Sequence, residues 1–326
     1  MFLFCGLLIA GCCLGQPSLF DHLHANAACG IRLTLGTDLG ELRRSKAEKA
    51  YLPSTFQLQV SNTLQLELPG QVRTRGNVRL QVCDNPSLKV KFKKAALRAA
   101  GFSDLNEWKI VLQCSDNKVG AGYLRRERFV YELHALYSSY HHRTVPVTLV
   151  FGPDTTKVLE AFLVEDEEQL AHRYQSNILN AQRVSTQGIH RPSYVNLCLF
   201  NYLILNTDWH ISNLHNVEVI NPRGTNDLVP IPYDFDYAGF VGTSYAVPRE
   251  SLGIRSIYDP KWLGKNISNE ELLPAIAHFE AVRPLATELI NRSPDLEDRD
   301  RQRMLKRLDA FHKVLASEDP LRLLEK

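Results

Sequence analysis

Apolar residues in the first half of the chain alternate with polar ones. Ile31, Leu33 and Leu35 share one face; Phe56, Leu58 and Val60 repeat the pattern, as do Leu64, Leu66 and Leu68. A period of two predicts half-buried strands. Pro69-Gly70 reads as a turn. Leu88, Val90 and Phe92 alternate with Lys89, Lys91 and Lys93, which puts three lysines on the face away from the core. Residues 108–114 add another strand, and residues 145–151 and 158–164 flank Gly152-Pro153-Asp154 as a hairpin. The pattern predicts a mostly antiparallel sheet.

The period then changes. Phe129, Leu133, Leu136 and Tyr140 recur at helical spacing within residues 122–140. Residues 165–173 turn polar and helical and read as a crossing between two lobes. Pro192 stops what precedes it, and Ser193 is placed to cap an apolar helix over 194–205. Residues 270–290 and 298–316 read as amphipathic helices. The chain shows no internal repeat. It divides into a short leader (1–15), a sheet-rich lobe (26–164) and a helical lobe (165–326), an α+β class.

With 326 residues, 44% hydrophobic and 23% charged, the chain is globular rather than disordered. A net charge of +2 gives no electrostatic case for nucleic acid. Residues 2–13 form an apolar run too short for a stable membrane span, and it fits the core of an export signal. Ile9-Ala10-Gly11-Cys12 is similar to a lipobox, in which Cys12 would carry a lipid; Gly15 would instead end an ordinary signal. Export implies a periplasmic, surface-anchored or secreted product. Of seven cysteines, four lie beyond the leader: Cys29, Cys83, Cys114 and Cys198. None has zinc spacing. An exported chain permits a Cys83–Cys114 disulfide, with free buried thiols as the alternative.

The candidate chemistry lies in residues 206–236. Asp208 and Asn213 are five residues apart, and Asp234 follows Asp208 by 26, with two β-like runs and a turn between. This order places a carboxylate for an acceptor hydroxyl, then an amide and a second carboxylate for a metal, as in phosphoryl-transfer sites. Mg²⁺ needs hard oxygen donors, which Asp and Asn supply. Asp208 is therefore the candidate catalytic base; Asn213, Asp234 and Asp236 are the candidate metal ligands. An Asx-type helix end is the structural alternative for Asp208.

These blocks resemble the CotH kinase-like family, the spore-coat protein H type of atypical kinase. Arg75-Gly76-Asn77 and the 88–92 strand are similar to its RGN signature and lysine-bearing strand. Trp108, Ser115-Asp116, Arg125-Arg126 and the 162–165 stretch are similar to its next blocks. Asn206-Thr207-Asp208 with Asn213, then Tyr233-Asp234-Phe235-Asp236, match its catalytic and metal-binding blocks, and the first of these also resembles the loop of HipA-type kinases. The resemblance spans residues 31–242. It implies a two-lobed protein-kinase-like fold with an antiparallel-sheet N-lobe and a helical C-lobe. It also implies Mg²⁺ and ATP as cofactors and a protein or surface-associated acceptor. Lys89 or Lys91 would meet the α/β-phosphates, Glu132 (or Glu127) would pair with that lysine, and Arg75 and Arg79 would contact phosphate or a neighbouring segment. His210 would give a hydrogen bond behind the metal ligands. No G-x-G-x-x-G precedes the lysine strand. A surface binding protein that has lost catalysis, or a nucleotidyl transferase, would use the same residues.

Overall fold

A computed structural model describes residues 16–61, 64–152 and 157–326. The leader, its Cys12 lipid site and Pro153-Asp154 of the expected hairpin turn lie outside the described residues. Ser18 opens α1 (Leu19–Ala25) through a reciprocal capping box with Asp21. Next come β1 (Ile31–Leu35), α2 (Leu39–Arg44), β2 (Leu52–Val60), β3 (Leu64–Arg75), α3 (Val78–Val82) and β4 (Ser87–Phe92). They lead to α4 (Lys94–Ala99), β5 (Glu107–Leu112), α5 (Lys118–Tyr137), β6 (Thr144–Phe151) and β7 (Val158–Val164). The rest comprises α6 (Glu167–Arg173), β8 (Ser176–Ile178), α7 (Arg191–Leu203), β9 (Val217–Pro222) and β10 (Val229–Pro232). Three helices end the chain: α8 (Asn269–Arg292), α9 (Asp298–Leu315) and α10 (Pro320–Leu324).

The alternating strands do not form an open lobe. β1 pairs antiparallel with β2 and parallel with β6, so seven strands close into a mixed barrel in the order β1-β2-β3-β4-β5-β7-β6. This closed, mixed barrel overturns the expected two-lobed kinase-like fold with its antiparallel-sheet N-lobe. Alternation decides which side chains face inward, but it is silent on whether two edge strands meet. Ile31, Leu33, Phe56, Val90, Trp108 and Leu149 fill the barrel, and Leu19, Phe20 and Leu23 of α1 join the same core. Pro69-Gly70 is no turn, because β3 runs through it. A Cβ at Gly70 would lie 2.4 Å from the Lys91 carbonyl oxygen and 2.9 Å from the Phe56 ring, so close strand approach demands glycine there.

A second core holds the helices. α5, threaded between barrel strands in sequence, packs against α7 and α8, and α9 packs on both. Phe129, Tyr137, Phe200, Phe235, Phe279 and Phe311 are fully buried in this core. Helix α7 begins two residues before the expected cap: Pro192 occupies its first turn, where a missing N–H costs nothing. A small sheet, β10-β9-β8, stands beside it. Cys83 and Cys114 form a disulfide that ties the end of α3 to the end of β5. Among the described residues, no helix is long and apolar enough to cross a membrane.

Candidate active site

Helix α7 ends in a loop that it also anchors. Asn206 donates through its backbone N–H to the Asn201 carbonyl and through its amide to the Asn201 side-chain oxygen, both at 2.8 Å. The Asn206 side-chain oxygen accepts the Asp208 N–H at 3.0 Å. Asp208 is thereby fixed at the helix exit. Its carboxylate meets His215 Nε2 at 3.0 Å and the Asn216 amide at 3.0 Å, and Asn216 also donates to the Asp208 carbonyl at 2.8 Å. His210 and His215 exchange backbone hydrogen bonds, closing the turn between them. Asn213 stands exposed at its tip. The amide on Asp208 is that of Asn216, which the sequence pattern assigns only to the start of a strand.

Strands β9 and β10 return the chain to Asp234. This residue adopts φ +59°, a left-handed conformation that a non-glycine residue holds only under constraint. The constraint is visible: the Asp234 N–H donates to Tyr131 Oη at 2.9 Å, and the Tyr131 ring packs edge-on against Phe235 at 4.8 Å. Asp236 is buried and accepts from the Tyr245 hydroxyl at 2.9 Å.

Glu127 of α5 belongs to the same cluster. It pairs with Arg79 of α3 at 3.0 Å, both side chains buried, and Arg79 also donates to the Leu112 carbonyl. Burial pushes the Glu127 carboxyl up to about 8; Arg79 opposes the shift, while Asp236 and Asp234 add to it. Burial likewise raises Asp236 to about 7, with repulsion from Asp234 and a smaller push from Asp208. Three carboxyl groups thus share one guanidinium, and burial with mutual repulsion favours the neutral acid at Glu127 and Asp236.

Glu132 lies elsewhere on α5, where it pairs with Arg128, which also holds Asp295. The lysine stripe is committed to carboxylates. Lys89 contacts Glu107 at 2.6 Å and Asp166 at 3.2 Å, and Lys91 contacts Glu107 at 2.7 Å. Directly across from Lys89 in β5 is Lys109, which the sequence pattern did not single out. Lys109 is buried, pairs with Glu218 of β9 at 2.7 Å, and lies 5.2 Å above the ring of Tyr233, the neighbour of Asp234. It thereby joins the barrel to the Asp208–Asp234 hairpin. Arg75 is near enough to Tyr131 and Tyr233 to act on both electrostatically, and among the described residues it makes no ion pair. Gly76 beside it takes φ +93°, with open space where a Cβ would be.

Among the described residues, no three His, Cys, Asp or Glu side chains converge as a complete metal cage. Mg²⁺ on a nucleotide takes one or two carboxylates and completes its shell with phosphates and water. Asp234 and Asp236 offer the hard oxygen donors that such an ion takes.

No protein-family model matches the sequence, and no curated protein aligns with it. Membership of the CotH kinase-like family is therefore not shown. Among solved structures, the proinflammatory kinase CtkA of Helicobacter pylori matches 69% of this chain and 90% of its own, at 9% identity and a TM-score of 0.42. A likeness of that size carries no argument about this chain.

Proposed function

We propose that this chain is an exported phosphotransferase that uses Mg²⁺ and ATP to modify a hydroxyl on a polypeptide or surface-associated acceptor. The observation that carries it is the placing of two acids from one hairpin: Asp208 is held by His215 and Asn216 at the exit of α7, and β9 and β10 return Asp234 to α5, where Tyr131 holds its N–H and Glu127 pairs with Arg79. Asp234 and Asp236 would hold the metal, which would supply positive charge to the phosphates. Asn216 gives its N–H to Asp208 and keeps its amide oxygen for a cation; Asn213, at the exposed tip, is the alternative amide. Arg75, which forms no ion pair among the described residues and acts electrostatically on Tyr131 and Tyr233, would meet phosphate, with Lys89 and Lys91 available only by exchange of their partners.

Asp208 orients the acceptor hydroxyl and takes its proton as the new O–P bond forms. The bond from the γ-phosphorus to the bridging oxygen breaks, and nucleoside diphosphate leaves. His215 and Asn216 hold the carboxylate in place for that step. The Cys83–Cys114 disulfide supports an oxidising compartment and hence export. The capture of Lys89 and Lys91 in ion pairs favours one rival, a binding protein without catalysis. Calorimetric titration with Mg-ATP, followed by transfer assays with γ- and α-labelled ATP, separates these and the nucleotidyl route. Phosphotransfer moves only the γ-label; nucleotidyl transfer moves the α-label; a binding protein moves neither.

A further inference from the structure

A pocket of about 290 Å³ opens beside the Asp208 loop. Its apolar lining comes from Trp209 and Ile211 of that loop, from Leu252, and from Trp262 and Leu263 ahead of α8. Trp209 and Trp262 are 4% and 7% exposed, and neither indole N–H has a partner among the described residues. The rim is cationic. Lys261 and Lys265 line it, and among the described residues neither ammonium forms an ion pair. His210 also lines it; burial, helped by Arg249 and Lys265, lowers its pKa from the ordinary value.

The walls are fixed in advance. Tyr194 Oη accepts the Lys265 N–H at 3.0 Å, and Arg191 donates to the Asn266 carbonyl at 2.7 Å. Gly264 lies against the Trp262 indole, where a Cβ would come within 2.3 Å of the ring. The volume falls at the lower edge for whole small molecules, roughly 300–1,000 Å³. It suits one large apolar side chain of a segment running past, the kind of anchor that fills a desolvated pocket at a binding hot spot.

We propose that this pocket is the acceptor subsite and that its occupant is an acidic polypeptide segment. One apolar side chain enters between Trp209 and Trp262, flanking carboxylates meet Lys261 and Lys265, and a nearby hydroxyl reaches Asp208, the residue before Trp209. The transfer part rests on the proposed phosphotransferase function; docking itself needs no nucleotide.

The test uses the full chain and two short peptides, each with serine beside leucine, one flanked by glutamates and the other by lysines. Binding is followed by tryptophan fluorescence, since Trp209 and Trp262 are two of the chain's three tryptophans. The acidic peptide should bind without nucleotide and perturb the emission. Lys261→Glu with Lys265→Glu should weaken it about tenfold or more and strengthen the basic peptide. Equal binding of the two peptides, no binding of the acidic one, or an unchanged preference in the charge-reversed protein overturns the subsite. Displacement of the peptide by Mg-ATP assigns the pocket to the nucleotide and overturns it too. Charge-dependent binding without label transfer leaves the docking surface standing and overturns the phosphotransferase.

Discussion

Arg79 and Glu127 meet 3.0 Å apart in the interior, one from the short helix behind the RGN turn and the other from the long helix that leaves the barrel. Asp234 and Asp236 both act on Glu127 electrostatically. The pair therefore couples the barrel to the candidate metal site. Arg79→Met should cost about 3 kcal/mol, because it leaves the buried Glu127 carboxyl and Leu112 carbonyl without their donor. Glu127→Gln should cost under about 1 kcal/mol at pH 7, since burial already favours the neutral acid. Urea unfolding of both variants checks the asymmetry.

The disulfide holds the end of the Arg79 helix to β5 across a sequence separation of 31 residues. Replacing Cys83 and Cys114 by serine should lower stability by about 3–4 kcal/mol through loop entropy in the unfolded chain. It should also weaken Mg-ATP binding, because Arg79 and Glu127 lose their fixed relation. Denaturation and calorimetry with and without reductant report both effects.

Glu218 sets an acid limit. Burial works against its charge, but His142 and Lys109 outweigh it and hold the carboxyl at about 2, below its ordinary 4.5. A lowered folded-state value adds stability above pH 4.5 that is lost as pH falls from 4.5 toward 2. The contribution at neutral pH is on the order of 3 kcal/mol. Glu218→Gln should therefore destabilise strongly at pH 6 and little near pH 2, as chemical denaturation across that range would show.

Asn216 and Asn213 should behave differently. Asn216→Ala frees the Asp208 carboxylate and should reduce transfer by about 10–100-fold, an effect of the size seen for supporting residues of metal sites. Asn213→Ala should change it less than about threefold if the tip amide is uninvolved. A larger loss at Asn213 would move the metal amide to the tip of the loop.

Much of this arrangement is legible in the sequence, and the exceptions have physical causes. The strands follow from alternation, and the order of Asp208 and Asp234 follows from a hairpin between two acids. Barrel closure is hidden because the residues of β1 facing β6 look no different from those of an open edge. The choice between Glu127 and Glu132 was available in helical spacing. Glu127 falls in line with Leu124, Tyr131 and His134, all buried, so an acid lies in the packed stripe. Glu132 has Arg128 four residues before it, the mark of a helical surface pair. Lys109 gave no such signal, because its role depends on Glu218, distant in sequence and brought opposite it only by the fold.

The central claim is that Asp208 serves the acceptor and Asp234 the metal-bound nucleotide. The most direct measurement is Mg-ATP titration and γ-label transfer on the wild-type chain, Asp208→Ala and Asp234→Ala. The account predicts that Asp208→Ala binds Mg-ATP with near wild-type affinity and transfers nothing, while Asp234→Ala loses Mg²⁺-dependent binding. Wild-type protein that binds no Mg-ATP, with the Cys83–Cys114 disulfide intact, would contradict it.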